Sequence, residues 1–359
     1  MAKKETTLSL ISWLDKFIAE SKNGKRLQKN GKRITDGTID QYQYLSKLLE
    51  DFETAKQFPL RIKLLTTSNA RVFETEKNYW KKFYRKFTDY LYDDLGCFDN
   101  YVGCMIKTLR VFFNYLSESK GMPVGSFHKQ FYVPKEDISI VVVTPEQLNY
   151  LIYDKTFEQS LSVELDRIKD IFVVGCTVAL RFSDLMNLKA ANLEIVGDRW
   201  YLQVRSKKTQ TYTRVLLPEY AKAILKKYKG KHKTLLPAFS KDYLNAKFKE
   251  LGELAGWTTP LIKTRNRRGV PITVYKEKGS RRNYRFCDSI TTHTMRRSAI
   301  TTMLTLGMPE YLVRKISGHA PNSKEFFRYV SLAQSYMDNE ISQVFDKLAV
   351  KKEESQLVD

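Results

Sequence analysis

The sequence is short of several things, and each shortage excludes a class of protein. Only four of its 359 residues are cysteine, at positions 97, 104, 176 and 287. Their spacing fits neither a zinc ribbon nor a zinc finger, and Cys97 and Cys104, flanking an expected helix start, are expected simply to pack. Histidine is as scarce, again four residues, and neither HExxH nor a GxxxxGK run followed by Ser or Thr occurs. No metal requirement and no nucleotide cofactor is therefore expected. No apolar run reaches the roughly 18 residues that cross a bilayer, and the opening MAKKETTLSL has no hydrophobic stretch of the kind a signal peptide needs. An intracellular, cytoplasmic protein without a membrane partner is expected. The chain is also short of acid.

Against 40 Asp and Glu stand 61 Lys and Arg, for a formal charge of +21 and a pI near 9.6. Such an excess favours a polyanion, because each phosphate neutralised by a basic side chain releases counterions. No single segment is a strongly basic amphipathic helix of the kind that lies on an anionic membrane. Nucleic acid is the expected partner.

Apolar spacing organises the first third into helices. Leu8–Glu20 places Leu8, Ile11, Leu14, Phe17 and Ile18 on one face, and a second helix opening at Asp36-Gly37-Thr38 carries Ile39, Tyr42, Leu45, Leu49 and Phe52. A third is expected from about Thr75 to Leu95 and a fourth from about Phe98 to Leu116. The third, with Tyr79, Trp80, Phe83 and Phe87 inward, turns Lys81, Lys82 and Arg85 outward, where they can lie along a DNA backbone. A small helical domain over residues 1–120 follows. Residues 121–143 lose periodicity, gain Gly and Pro, and read as a linker. Thr144-Pro145-Glu146-Gln147 then carries a capping Thr and a Pro at the first helical position, so a second domain begins at 144.

In that domain Leu165–Leu180 reads as a long helix, and three short strands follow, the first two joined at Gly197-Asp198 and the third ending at Pro218. The fold class expected is mainly α with a small antiparallel sheet in the second domain. Lys263 to Arg285 carries nine basic residues and one acid, and reads as a basic hairpin placing Arg265, Arg267 and Arg268 on DNA. After about residue 336 an amphipathic helix is expected to 349, with Met337, Ile341, Val344, Phe345 and Leu348 on one face, and then a polar tail over 350–359.

The chemistry is concentrated in Thr292–Tyr329. Met295, Ala299, Ile300, Met303, Leu304 and Leu306 recur with a helical period, so His293 and Arg296, three apart, are expected to point the same way from the first turn. A guanidinium beside an imidazole suits a phosphate: one offers a planar fork of donors, the other donates or shuttles a proton. Gly307 reads as a stop, Pro309–Ile316 as a second short helix, and Gly318-His319 follows. Tyr329, ten positions beyond His319, is placed as a nucleophile, since a phenol attacking phosphorus conserves the diester's energy in a covalent link. Upstream, Asp184 lies three residues after Arg181 and can orient it, and Lys207-Lys208 sits on a hairpin turn.

These residues, taken in order, resemble the tyrosine recombinases of the phage integrase family. VALRFSDLMNLK with Arg181 stands where the family has Gly-Leu-Arg-x-Ser/Thr-Asp/Glu-Leu, and SKKTQ with Lys208, His293-x-x-Arg296, Gly318-His319 and Tyr329 complete the series. The resemblance implies a two-domain DNA clamp, with residues 1–120 as a SAM-like core-binding domain and 144–335 as the mixed α+β catalytic domain. It implies that Arg181 and Arg296 grip the non-bridging oxygens and that Tyr329 forms a 3′-phosphotyrosyl bond. Lys208 would protonate the leaving 5′ oxygen, with His293 and His319 assisting proton transfer and Asp184 supporting Arg181. It further implies site-specific recombination without metal or ATP. The DNA would carry inverted-repeat core sites, bound by a homotetramer that is monomeric or weakly dimeric when free, with the 336–349 helix docking on a neighbour. By resemblance the setting is a bacterial mobile element at the nucleoid. Type IB topoisomerase-like relaxation and non-catalytic DNA binding are the alternatives. The chain departs from the family pattern in three places. The tyrosine offset is ten rather than nine, which keeps Tyr336 as a competitor; Lys207 adjoins Lys208; and Ser317 replaces the usual leucine before Gly-His, a change expected to matter little.

Overall fold

A computed structural model describes residues 7–66, 69–207, 210–277, 279–334, 337–338, 341–342 and 345. The chain forms two compact units, Met1–Ile138 with Lys263–Val274, and Ser139–Ile262 with Tyr275–Asp359. Val124, Phe127 and Phe131, read as linker, are buried in the first unit's core, and the hairpin read as part of the second domain belongs to the first unit.

In the first unit β1 (Thr7–Ser9) pairs antiparallel with β2 (Arg61–Lys63), and between them run α1 (Leu10–Lys22) and α2 (Asp36–Lys56). The helices α3 (Ala70–Asp89) and α4 (Asp99–Asn114) complete the bundle. Ser9 caps α1 by accepting from Ser12 N, satisfying one of the amides that a helix start leaves unpaired. The expected stripes form the core: Leu14, Phe17, Leu45, Leu49, Phe52, Phe83, Phe87, Leu109 and Phe112 are all fully buried. Lys263–Arg267 and Val270–Val274 pair as the predicted basic hairpin, but its arginines meet partners within the unit, Arg268 while staying exposed. Arg265 donates twice to Glu136 Oε1 (2.9 and 2.7 Å), Arg268 reaches Asp89 and Asp93 (both 2.8 Å), and Asp99 accepts from the amides of Arg268 and Gly269 (2.8 and 2.9 Å).

The second unit begins with α5 (Pro145–Tyr153), whose capping Thr144 and leading Pro145 are as expected and whose Gln147 completes a capping box, then α6 (Lys155–Ser160), α7 (Val163–Val178) and the single turn α8 (Phe182–Leu185). A three-stranded antiparallel sheet follows, β3 (Leu193–Val196), β4 (Arg199–Arg205) and β5 (Tyr212–Leu216), with β4 central. Then come α9 (Glu219–Tyr228), α10 (Lys241–Leu254), α11 (Thr292–Thr305) and α12 (Glu310–Ser317), and residues 324–334 are again helical. The expected fold class is the one found. The apolar Ile140–Val143 run makes no strand; Val142 and Val143 are buried, and Val143 N donates to Ser298 Oγ (2.8 Å). The helix α7 lies against α11, which is possible because residue 175 is Gly: a Cβ there would fall 2.3 Å from Met295 Sδ. Leu306, counted in the apolar period of this helix, is 72% exposed, because α11 ends at Thr305. Of the apolar residues of the expected 336–349 helix, Met337, Ile341 and Phe345 are described, and all three are exposed.

Candidate active site

Arg181 owes its position to the way α7 ends. Ala179 takes the left-handed conformation (φ 55°), unusual for a residue with a side chain, and turns the chain so that Arg181 becomes the cap of α8. Its Nη1 donates to Ser206 Oγ (2.9 Å), and Ser206 donates to Asp184 Oδ2 (3.0 Å). The other oxygen, Asp184 Oδ1, accepts from Lys207 N (3.1 Å). Asp184 thus reaches Arg181 through Ser206 and also fixes the turn between β4 and β5. Both Asp184 and Ser206 are buried.

Arg296 is held differently. Its Nη1 donates to Ala179 O and its Nη2 to Ser317 O, both at 2.6 Å. These carbonyls lie at the C-terminal ends of α7 and α12, where helices leave acceptors unpaired and carry the negative end of the dipole. One buried guanidinium therefore ties two helix ends together. Burial, and after it the neighbouring charge of Arg181, lowers the pKa of Arg296 to about 10, so it stays protonated at neutral pH while its bonds are to carbonyls and not to a carboxylate.

Gly318 closes α12 in the left-handed conformation (φ 64°), and His319 N donates back to Arg314 O (3.1 Å). The imidazole comes to rest with Nδ1 2.8 Å from Ser317 Oγ and Nε2 3.4 Å from Arg296 Nη2. Burial first, then Arg296, Arg181 and Arg314, hold its pKa down at about 4, so the ring is neutral. The turn between β4 and β5 approaches this corner, since a Cβ on Gly318 would lie 3.5 Å from Thr211. Tyr329 stands within the helical segment 324–334, not ahead of a helix as expected, and is 7% exposed. It packs among Ala179, Ile300, Leu304, Val313 and Phe326, its ring centroid 5.9 Å from that of His319.

Arg181, Arg296, His319 and Tyr329 are thus gathered at one corner of the second unit. His293 is in the first turn of α11 but is exposed where Arg296 is buried, so their shared direction is only partial. Lys208 and Tyr336 lie outside the described residues; Lys207 is described and exposed. On α3, Lys81, Lys82 and Arg85 are exposed as expected. Arg265, Arg267 and Arg268, expected on DNA, have partners within the first unit. Arg265 and Arg268 are paired with carboxylates and Arg267 donates to Gly96 O (2.9 Å), all within the first unit. A guanidinium already matched by carboxylates offers a phosphate little net charge. Sequence reasoning misses three contributors: Ser206, the Ala179 carbonyl and Ser317. Ser206 has a sequence signal as the first residue of the SKKTQ turn, and Ser317 one as the departure from the usual leucine before Gly-His. Among the described residues no group of three or more His, Cys, Asp or Glu is placed to hold a metal ion.

A family model for the phage integrase family matches residues 143–335. Among curated protein sequences none matches. Solved structures that resemble the chain include XerH site-specific recombinase bound to palindromic difH substrate in a post-cleavage complex (14% identity, TM-score 0.53, covering 93% of this chain and 95% of that one). A lambda integrase (75–356) dimer bound to a COC′ core site matches at 15% identity and TM-score 0.55, over 90% of this chain and 95% of that one. The Tn1549 transposon integrase (82–397) with circular intermediate DNA matches at 15% and 0.53, over 92% and 99%. At such identities these likenesses give the fold. The family model covers more than half of the sequence and all six expected catalytic positions, and the chain belongs to the phage integrase family, the tyrosine-type enzymes that break and rejoin DNA.

Proposed function

We propose that the chain is a site-specific recombinase that cuts one DNA strand at a time through Tyr329. One observation carries the reading: two guanidiniums and a neutral imidazole converge beside a buried tyrosine, and the more deeply buried guanidinium, Arg296, bonds carbonyls where an ion pair would place a carboxylate. Burial and repulsion from Arg181 leave Arg296 suited to an anion, and a phosphodiester supplies one. The guanidiniums grip its non-bridging oxygens, where charge grows as phosphorus becomes five-coordinate. The Tyr329 phenol gives up its proton to an imidazole, His319 or His293, its oxygen bonds phosphorus, and the bond to the 5′ oxygen breaks. That oxygen takes a proton from Lys208, with His293 and His319 serving proton transfer. The 3′-phosphotyrosyl link conserves the bond energy, so attack by a partner strand's 5′-hydroxyl reseals DNA without ATP.

The partner is double-stranded DNA with inverted-repeat core sites, first contacted by the exposed Lys81, Lys82 and Arg85. The solved lambda integrase tetramer on a Holliday junction supports a four-subunit assembly here, with the exposed apolar residues Met337, Ile341 and Phe345 as its subunit contact. No helix among the described residues is long and apolar enough to cross a membrane, and we place the enzyme in the cytoplasm, at the nucleoid.

The test is covalent trapping on nicked DNA carrying the element's candidate junction, in the presence of chelator. Wild type should give a denaturation-resistant adduct that Tyr329→Phe loses. An adduct persisting in the variant moves the nucleophile to Tyr336. No adduct from wild type, on DNA it demonstrably binds, favours a non-catalytic binding protein.

A further inference from the structure

We infer that Ser317 is a positioning residue for His319, its hydroxyl holding the ring in the Nδ1–H tautomer so that Nε2 is the nitrogen presented to the phosphate site. The inference rests on the recombinase reading only for the name of that site; the tautomer follows from donors and acceptors.

A guanidinium has donors and no acceptor. Arg296 Nη2, 3.4 Å from His319 Nε2, can only donate to it, so Nε2 carries the lone pair and Nδ1 of the neutral ring carries the proton. That proton points at Ser317 Oγ, 2.8 Å away. The Ser317 hydroxyl must then accept, which leaves its own hydrogen free for Val313 O at 2.7 Å. All three contacts agree on one direction of donation, from imidazole to hydroxyl to helix carbonyl. Ser317 is 2% exposed, so water does not compete for its hydroxyl.

The arrangement depends on two further features. The left-handed Gly318 reverses the chain so that ring 319 folds back over residue 317, a contact two residues apart that a continued helix does not permit. The Ser317 carbonyl also receives Arg296, so one residue sets the position of the imidazole and of the guanidinium it faces. A leucine, which the family usually has here, offers the carbonyl but no acceptor for Nδ1–H. The charged and titratable groups facing His319 are Arg296 on α11, Arg181 ahead of α8, Arg314 on α12 and Tyr329 on the segment 324–334. The three arginines all oppose protonation, and a bound diester opposes them in turn. Ser317 decides which nitrogen then exchanges a proton.

Long-range ¹⁵N–¹H correlation on protein labelled at the imidazole nitrogens tests this directly, because the chain has four histidines and His319→Gln assigns the signal. At pH 7 wild-type His319 should show a protonated Nδ1 and a bare Nε2. Ser317→Ala should lose that pure pattern, and Ser317→Thr should keep it. In covalent trapping, Ser317→Ala should slow cleavage about five- to tenfold, the worth of one such hydrogen bond, and move the acid limb of the pH profile, with Ser317→Thr restoring both. A protonated Nε2 in wild type, or an unchanged spectrum in Ser317→Ala, overturns the inference. The wild-type spectrum needs neither DNA nor a variant, so failure to form a tyrosyl adduct sinks the recombinase reading without touching this one.

Discussion

Gly175→Ala probes whether the spacing of α7 and α11 sets the site. The added Cβ would lie 2.3 Å from Met295 Sδ and 3.0 Å from Met295 Cβ. The sulfur can swing away, but a Cβ moves only with its helix, so the two helices must part by several tenths of an ångström. Overpacking of this kind costs about 1–3 kcal/mol, which for a unit of this size lowers Tm by roughly 2–12 °C. The functional cost comes on top. Just past the end of α7 lies Ala179, whose carbonyl accepts from Arg296 on α11 at 2.6 Å, and parting the helices stretches this bond. A hydrogen bond to a charged group is worth about 1.5–3 kcal/mol, so adduct formation should fall roughly 10- to 100-fold at temperatures where the variant is folded. Met295→Ala in the same chain removes the sulfur and Cγ contacts and leaves only the 3.0 Å Cβ contact, so the double mutant should be less impaired than the two singles predict. Full cleavage by a normally stable Gly175→Ala protein, or strict additivity with Met295→Ala, would refute the reasoning.

Asp184→Asn keeps the shape of the side chain while weakening its bonds to Ser206 and Lys207 N; cleavage should drop about tenfold or more, with DNA affinity nearly unchanged in a filter-binding titration. Lys81→Ala with Lys82→Ala should flatten the dependence of log K on log salt by about one unit for each lysine that meets a phosphate. Arg268→Ala, by contrast, should lower Tm and leave that slope alone; a flattened slope would return Arg268 to the DNA-facing set. His128 is buried with Nε2 2.7 Å from Asn114 Oδ1, and burial followed by Lys129 and Arg110 lowers its pKa from 6.5 to about 4. Between those values the unfolded chain binds the extra proton, so stability is full above pH 6.5 and lost as pH falls toward 4. His128→Gln should show a shallower fall of Tm from pH 7 to 5 than wild type, and parallel curves would contradict this.

Much of the architecture can be read where one face of an element is apolar. The stripes of α1, α2 and α4 and the Thr144 capping box announce themselves, because burial repeats every three to four residues and caps use few residue types. The order Arg181, His293, Arg296, His319, Tyr329 is legible for a different reason: each carries chemistry that core residues do not. What stays hidden depends on partners far along the chain. Nothing local says that Arg265 meets Glu136 rather than a phosphate, since a basic hairpin looks the same against either. The run Ile138–Val143 has strand composition, but no neighbouring edge accepts it, and it packs as an extended segment instead. Ser206 and Ser317 escape because a hydroxyl is as much at home on a surface as in a network. Ser317 in particular looks like a harmless replacement in the sequence, whereas its hydroxyl meets His319 and its carbonyl accepts from Arg296.

The hairpin Lys263–Val274 gives the first unit an unusual order of assembly. Glu136 and Asp99 leave the ribosome about 130 residues or more before the arginines and amides that meet them, a delay of several seconds to half a minute at ordinary rates of synthesis. During that interval a helical bundle with a formed core holds buried-to-be carboxylates open to water. Its completion waits on synthesis of most of the second unit. A fragment cut at residue 138 would stay at that unfinished stage, so N-terminal pieces used to measure DNA binding should carry the hairpin, supplied as a grafted loop or as a separate peptide.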